Sequence, residues 1–150
     1  MVAVVDNYPE FSPFVSVGDF KFDTDIGLYK KLLKDFSYES PDEFGTEYYE
    51  SPDENLLLGI KNNEIISIFC YKELYFLGLN LIGLTLSEFQ QIFQCDYVGE
   101  VDEIYLADEN YPTYVYEFDG IGAQVWVALE KIVTIIVGGK EAYSTEPYDD

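Results

Sequence analysis

Residues 2–5 and 14–17 are short apolar pieces set among the breakers Pro9, Pro13 and Gly18, a pattern of β-prone segments between turns. A helical period follows. Ile26, Tyr29, Leu32, Leu33 and Phe36 recur at spacings of three and four, and Asp23 or Thr24 is suited to cap them. Lys30, Lys31 and Lys34 fall in the later turns, where cations suit the negative end of the helix dipole. The spacing predicts a helix over 25–36. Beyond it, 56–60 and 64–70 are β-prone runs around Asn62-Asn63, a pair fitted to a tight hairpin turn. Residues 71–82 stay apolar and aromatic, broken by Gly78 and Asn80, with room for another strand. Thr85-Leu86-Ser87-Glu88 has the spacing of a capping box, and Leu86, Phe89, Ile92 and Phe93 share one face, which predicts a second helix over 85–94.

The last third alternates. Strand-like residues 113–118 lead into Asp119-Gly120-Ile121-Gly122, 124–129 alternate again, and 132–137 follow a turn at Glu130-Lys131 and stop at Gly138-Gly139. That pattern predicts a three-stranded antiparallel meander over 113–137. The expected fold class is α+β: an antiparallel sheet of about five to seven strands, ending in this C-terminal meander, with two packed helices. Strands clustered without helices between them argue against a parallel doubly wound sheet.

A chain of 150 residues is of one domain's length, so 1–150 reads as a single globular domain, with 142–150 as an acidic, flexible tail. Aromatic residues make up 17% of it, far more than a disordered chain carries. Charge changes the picture more. Against 29 acids there are 8 lysines, no arginine and no histidine, for a net charge of −21. Solubility in a small domain needs a magnitude of only about 2–8, so self-repulsion on this scale calls for an explanation. A generally acidic proteome is one; a surface shaped to attract a cationic partner is the sharper one.

The acids are regional. Residues 35–54 hold eight acids and no lysine, and within them Tyr38-Glu39-Ser40-Pro41-Asp42-Glu43 recurs word for word as Tyr49-Glu50-Ser51-Pro52-Asp53-Glu54. Each Ser-Pro-Asp step favours a turn or a helix start, and the segment reads as an acidic loop with two turns. Residues 96–119 again hold eight acids and no lysine. Tyrosine supplies rigid contact area with a polar tip, and carboxylates around it steer a basic partner. The candidate partner-binding residues are therefore Tyr38, Asp42, Glu43, Glu47, Tyr49, Glu50, Asp53 and Glu54 in the first block. In the second they are Asp102, Glu103, Tyr105, Asp108, Glu109 and Tyr111.

Catalytic chemistry finds little footing. Histidine, the commonest general base, is missing, and so is arginine, the usual phosphate clamp. Gly138-Gly139-Lys140 lacks the rest of a phosphate loop, and neither Cys70 nor Cys95 has a histidine to activate it. No cofactor, metal site or enzymatic activity is expected. Direct binding of nucleic acid is disfavoured because phosphate contacts need lysine and arginine. Neither a signal peptide nor an apolar run long enough to span a membrane is visible, so a cytoplasmic address is expected.

Gly83-Leu84-Thr85-Leu86-Ser87-Glu88-Phe89, the Tyr114-Val115-Tyr116 segment leading to Gly120-Ile121-Gly122, and the apolar strand 132–137 together resemble the small cytoplasmic immunity proteins of bacterial contact-dependent inhibition and related polymorphic toxin systems. The resemblance covers 81–138 and rests on a helix-then-meander unit. It implies a protein without catalytic residues that neutralises a cognate toxin by binding it. Nuclease toxins tend to be basic because their substrate is a polyanion, which agrees with the charge. The expected function is an immunity protein for a basic nuclease toxin domain. The alternative is an acidic nucleic-acid mimic that regulates a DNA- or RNA-binding protein.

Overall fold

A computed structural model describes residues 9–140; the β-prone piece expected over 2–5 and the tail expected over 142–150 lie outside the described residues. Three two-residue strands, β1 (Phe11–Ser12), β2 (Ser16–Val17) and β3 (Phe20–Lys21), form a small antiparallel sheet. β4 (Ser37–Glu39), β5 (Glu47–Glu50), β6 (Leu56–Lys61) and β7 (Glu64–Cys70) then run as consecutive hairpins. A two-stranded hairpin of β8 (Tyr75–Phe76) and β9 (Leu79–Asn80) leads to the helix α1 (Leu86–Phe93). After it come β10 (Val98–Ile104), β11 (Thr113–Phe118), β12 (Ala123–Ala128) and β13 (Lys131–Gly138), again consecutive hairpins.

The two runs of hairpins are halves of one eight-stranded antiparallel sheet in the order β10-β11-β12-β13-β7-β6-β5-β4. Their seam is the pairing of β13 with β7, with Ile135 opposite Cys70 and Val137 opposite Ile68. The α+β expectation is thereby corrected: strand takes 46% of the described residues and helix 11%, and the architecture is mostly β. Residues 113–137 are the consecutive antiparallel strands β11, β12 and β13, embedded in this larger sheet between β10 and β7 and not a three-stranded terminus of a smaller one.

The expected helix over 25–36 is also corrected. Asp25 caps a single 3-10 turn, Ile26–Tyr29, by accepting from the Gly27 amide at 2.7 Å. Gly27 in the first turn and i→i−3 bonds, such as Leu28 N to Asp25 O and Phe36 N to Leu33 O, keep the segment from a continuous α ladder, although Leu33 N still reaches Tyr29 O at 3.0 Å. Its apolar positions still face inward: Tyr29 and Phe36 both pack against Phe20. One α-helix is present among the described residues. In it the Thr85 hydroxyl accepts from Glu88 N while the Glu88 carboxylate accepts from Thr85 N, a complete capping box.

Local turn chemistry sets the register. Asn62-Asn63 closes the β6–β7 hairpin with both φ angles positive, at 53° and 67°. The β12–β13 turn falls on Leu129-Glu130, one residue before the expected position, again with positive φ at both. With register fixed, the period of two divides the sheet into two faces. The inner face carries Leu58, Ile68, Val137, Ala123 and Phe118 in one cross-strand row, all fully buried. Phe11, Val17, Phe20, Leu74, Leu81 and Phe89 close over it from outside the sheet in one contiguous core. At about 25 cal/mol per Å2 of apolar surface removed from water, each of these buried side chains larger than alanine contributes roughly 1.5–3 kcal/mol.

Candidate functional site

The first acidic block forms the β4–β5 hairpin and the turn after it, so the expected loop is in fact an edge of the sheet. Tyr38 is 51% exposed, packs its ring on Tyr49 at 5.1 Å and donates its hydroxyl to Glu47 at 2.9 Å. That bond raises the Tyr38 pKa above its ordinary value, with desolvation second. These three residues stand on the inner side of the edge: Tyr49 pairs with Leu58, and Glu47 with Ile60.

Two of the predicted contact residues hold turns. Asp42 Oδ1 accepts from the amides of Phe44 and Thr46 at 2.8 and 3.0 Å, and its other oxygen accepts from the Tyr48 hydroxyl. The Thr46 amide above all, then Phe44, Tyr48 and the Lys61 charge, hold its carboxyl below the usual aspartate range. Asp53 Oδ1 accepts from the Ser51 hydroxyl and the Asn55 amide, and Ser51 with smaller help from Asn55 and Lys72 lowers its pKa likewise. Glu43 and Glu54 are exposed on the two turns, and Glu50 is half-buried on β5.

The second block lies at the opposite edge. Asp102 and Glu103 are exposed on β10, a strand that the sequence pattern did not suggest. They point to opposite faces, since Asp102 pairs with Val115 and Glu103 with Tyr114. Tyr105 is 61% exposed, with its hydroxyl 3.4 Å from Glu103 Oε2. Asp108 is exposed with a positive φ in the loop before β11, and Tyr111 is half-buried, its phenol raised by desolvation and by the nearby Glu109 carboxylate. Oε1 of Glu109 and Oγ1 of Thr113 are buried without a hydrogen-bond partner among the described residues.

The two blocks are thus separated by the whole width of the sheet. Seven strand-to-strand steps of about 4.8 Å amount to roughly 34 Å along its surface. The structure does not merge the predicted residues into one cluster. What joins the blocks is the outer face of the sheet, which sequence reasoning missed. Register places Glu50, Leu57, Phe69, Ile136, Gln124 and Glu117 in one row across six strands of that face. Trp126, between Val115 and Thr134, lies beside this row and donates to Gln124, which in turn donates to Glu117 at 2.6 Å. At the β4 end a cleft of about 300 Å3 opens on the same face, lined by Ser37, Glu39, Tyr48, Glu50 and Leu57. A shallow hollow of about 390 Å3 beside α1, lined by Leu79, Leu84, Glu88, Gln91 and Ile92, is on another part of the surface.

Among the described residues no three of His, Cys, Asp and Glu gather as a metal-binding group. Cys70 is a free, fully buried thiol whose pKa burial pushes far up, and Cys95 is free and half-buried. No described helix is long and apolar enough to cross a membrane.

No family model and no curated protein matches the sequence. Among solved structures the chain is similar to a cysteine-rich secretory protein from Staphylococcus aureus subsp. aureus Mu50, with a TM-score of 0.52 and 16% identity. The likeness covers 93% of this chain and 51% of the other, so the chain spans about half the length of that structure. At this identity the likeness concerns the fold alone.

Proposed function

We propose that this chain binds a basic protein, and that it is an immunity protein that neutralises a cognate toxin domain, a basic nuclease, in the cytoplasm. The observation that carries the reading is the placement of lysine-poor acidic segments at both edges of one sheet, in a chain of net charge −21. Charges so arranged raise the rate of encounter with a cationic surface and repel polyanions. Inhibition then needs occupancy and steric exclusion, not catalysis, and it needs no cofactor and no direct contact with nucleic acid. Free thiols at Cys70 and Cys95 suit a reducing compartment.

The test is co-purification with the product of the neighbouring gene, followed by a nuclease assay on that product with and without this chain. Stoichiometric binding with loss of nuclease activity is the expected result. Neutralising Asp102, Glu103, Asp108 and Glu109 together should slow association and flatten its salt dependence between low and about physiological ionic strength. Absence of a complex with that product, together with competition by this chain against several unrelated DNA-binding proteins, would replace the immunity reading by nucleic-acid mimicry.

A further inference from the structure

The strands that cross the middle of the sheet are apolar on both faces. Leu56-Leu57-Leu58 in β6, Ile68-Phe69-Cys70 in β7 and Ile135-Ile136-Val137 in β13 are apolar runs, with Ser67 and Thr134 as the polar residues that β7 and β13 add to the outer face. An antiparallel strand with one wet face alternates; a continuous run is the pattern of a strand meant to be covered on both sides. The inner face is covered by the core. On the outer face Leu57, Phe69, Trp126 and Ile136 are partly exposed, and among the described residues none of them belongs to the core or packs against it.

The rim of that face is acidic at both ends. Glu39 and Glu50 stand on it at the β4–β5 edge, and Asp102 and Glu117 at the β10–β11 edge. We propose that this outer face docks a basic amphipathic segment of a partner protein. Its apolar side chains lie on Leu57, Phe69, Trp126 and Ile136, and its cations meet the acids at the two edges. The inference rests on the protein-binding reading above and locates its surface: the alternate residues of both acidic blocks that share this face, not the tips of their turns. A second copy of this chain fits badly, because each copy carries −21 and would bring the same four acids against themselves. A polyanion is repelled for the same reason. The combination of an apolar centre and a charged rim is that of a specific protein interface.

Trp126 is the only tryptophan in the chain, so its fluorescence reports occupancy of this face. The probe is a synthetic peptide of about twelve residues with a leucine-rich centre and lysines at both ends, long enough when extended, at about 3.3 Å per residue, to lay its leucines on the centre and its lysines on both rims. The full chain should bind it with a blue shift of Trp126 emission. The set E39Q/E50Q/D102N/E117Q should weaken binding roughly tenfold or more, whereas E43Q/E47Q/E54Q/E103Q, which removes as many charges from the inner side and the turns, should change it less than about twofold. F69S/I136T should weaken it roughly tenfold; if that variant fails to fold by circular dichroism, the two charge sets decide alone. Equal losses from both charge sets, binding without a change in Trp126, or no binding at all overturns the proposal. So does a dimer in sedimentation that F69S/I136T dissociates, which assigns the face to a second copy. If the neighbouring gene product binds but ignores the outer-face set, this inference fails and the proposed function stands. If the peptide binds as expected and that product does not, the face stands and the immunity reading fails.

Discussion

Tyr38 and Tyr49, which head the two copies of one hexapeptide, are direct cross-strand partners on β4 and β5, with ring centroids 5.1 Å apart. The repeat is therefore a structural device used twice. In each copy the tyrosine and glutamate extend a strand, and the aspartate four residues on turns the chain by accepting the amide two residues ahead, Phe44 for Asp42 and Asn55 for Asp53.

Both aspartates have pKa values below the ordinary range, so their contribution to stability is present above an unfolded value of about 3.9 and is lost as pH falls through the lower folded values. Urea unfolding of the wild type and of D42N/D53N, at pH 7 and at about pH 2.5, checks this. Acidification should cost the wild type more than the variant. An equal loss in both proteins means that these carboxylates do not act through their charge.

Asn55 is 4% exposed, and its side chain ties the turn before β6 to the segment after β7. Oδ1 accepts from the amides of Lys72 and Glu73 at 2.7 and 2.8 Å, and Nδ2 donates to the Glu73 carbonyl. Asn55→Ala leaves three backbone groups without their side-chain partner in a part-buried site, and should destabilise the fold by about 2–4 kcal/mol. An unfolding free energy lowered by less than about 0.5 kcal/mol in urea titration would show that water replaces the side chain.

Thr113 is fully buried, and its hydroxyl has no partner among the described residues. Valine has the same shape and removes the unsatisfied group, so Thr113→Val should raise stability by about 1 kcal/mol, read as a higher melting temperature. A lower one would place a bound water or an unseen acceptor beside that oxygen.

Gly122 and Gly78 both have positive φ, at 68° and 82°, but only one of them is crowded. A Cβ on Gly122 would lie 2.9 Å from the Gly138 carbonyl and from the Phe14 ring, whereas at Gly78 nothing lies within 4 Å. Gly78→Ala should cost about 1 kcal/mol for its backbone alone, and Gly122→Ala at least twice that. Equal costs at the two sites would mean that both the Phe14 ring and the Gly138 carbonyl give way freely.

Local signals in the sequence are legible where one residue type decides the geometry. Asn62-Asn63 announces a hairpin, and Thr85 with Glu88 announces a capped helix. The sheet is not legible in this way. β4 carries Glu39 on the edge, where water replaces half of the pairing, and β5 beside it carries Glu47 and Glu50, so their strand character comes from neighbours and not from composition. β10 is hidden by Gly99 and by Glu100, Asp102 and Glu103 for the same reason. Of the candidate site, the acids and tyrosines were visible, but which of them share a face depends on register. Glu47 and Glu50 in one strand point to opposite sides, and the apolar centre that links the two blocks comes from strands that read as ordinary core.

The order of the sheet also has a consequence for how the protein is made. The edge of β7 closes only when Ile135 meets Cys70, a partner 65 positions further along the chain. At about 5–20 residues per second, the ribosome takes roughly 3–13 s to reach it. During that interval the nascent chain presents a seven-residue strand, Glu64–Cys70, with its hydrogen-bonding edge open and its side chains apolar on both faces. That edge is the place where a chaperone must act or where two half-made chains join, and release of a chain truncated before β13 leaves it permanently exposed.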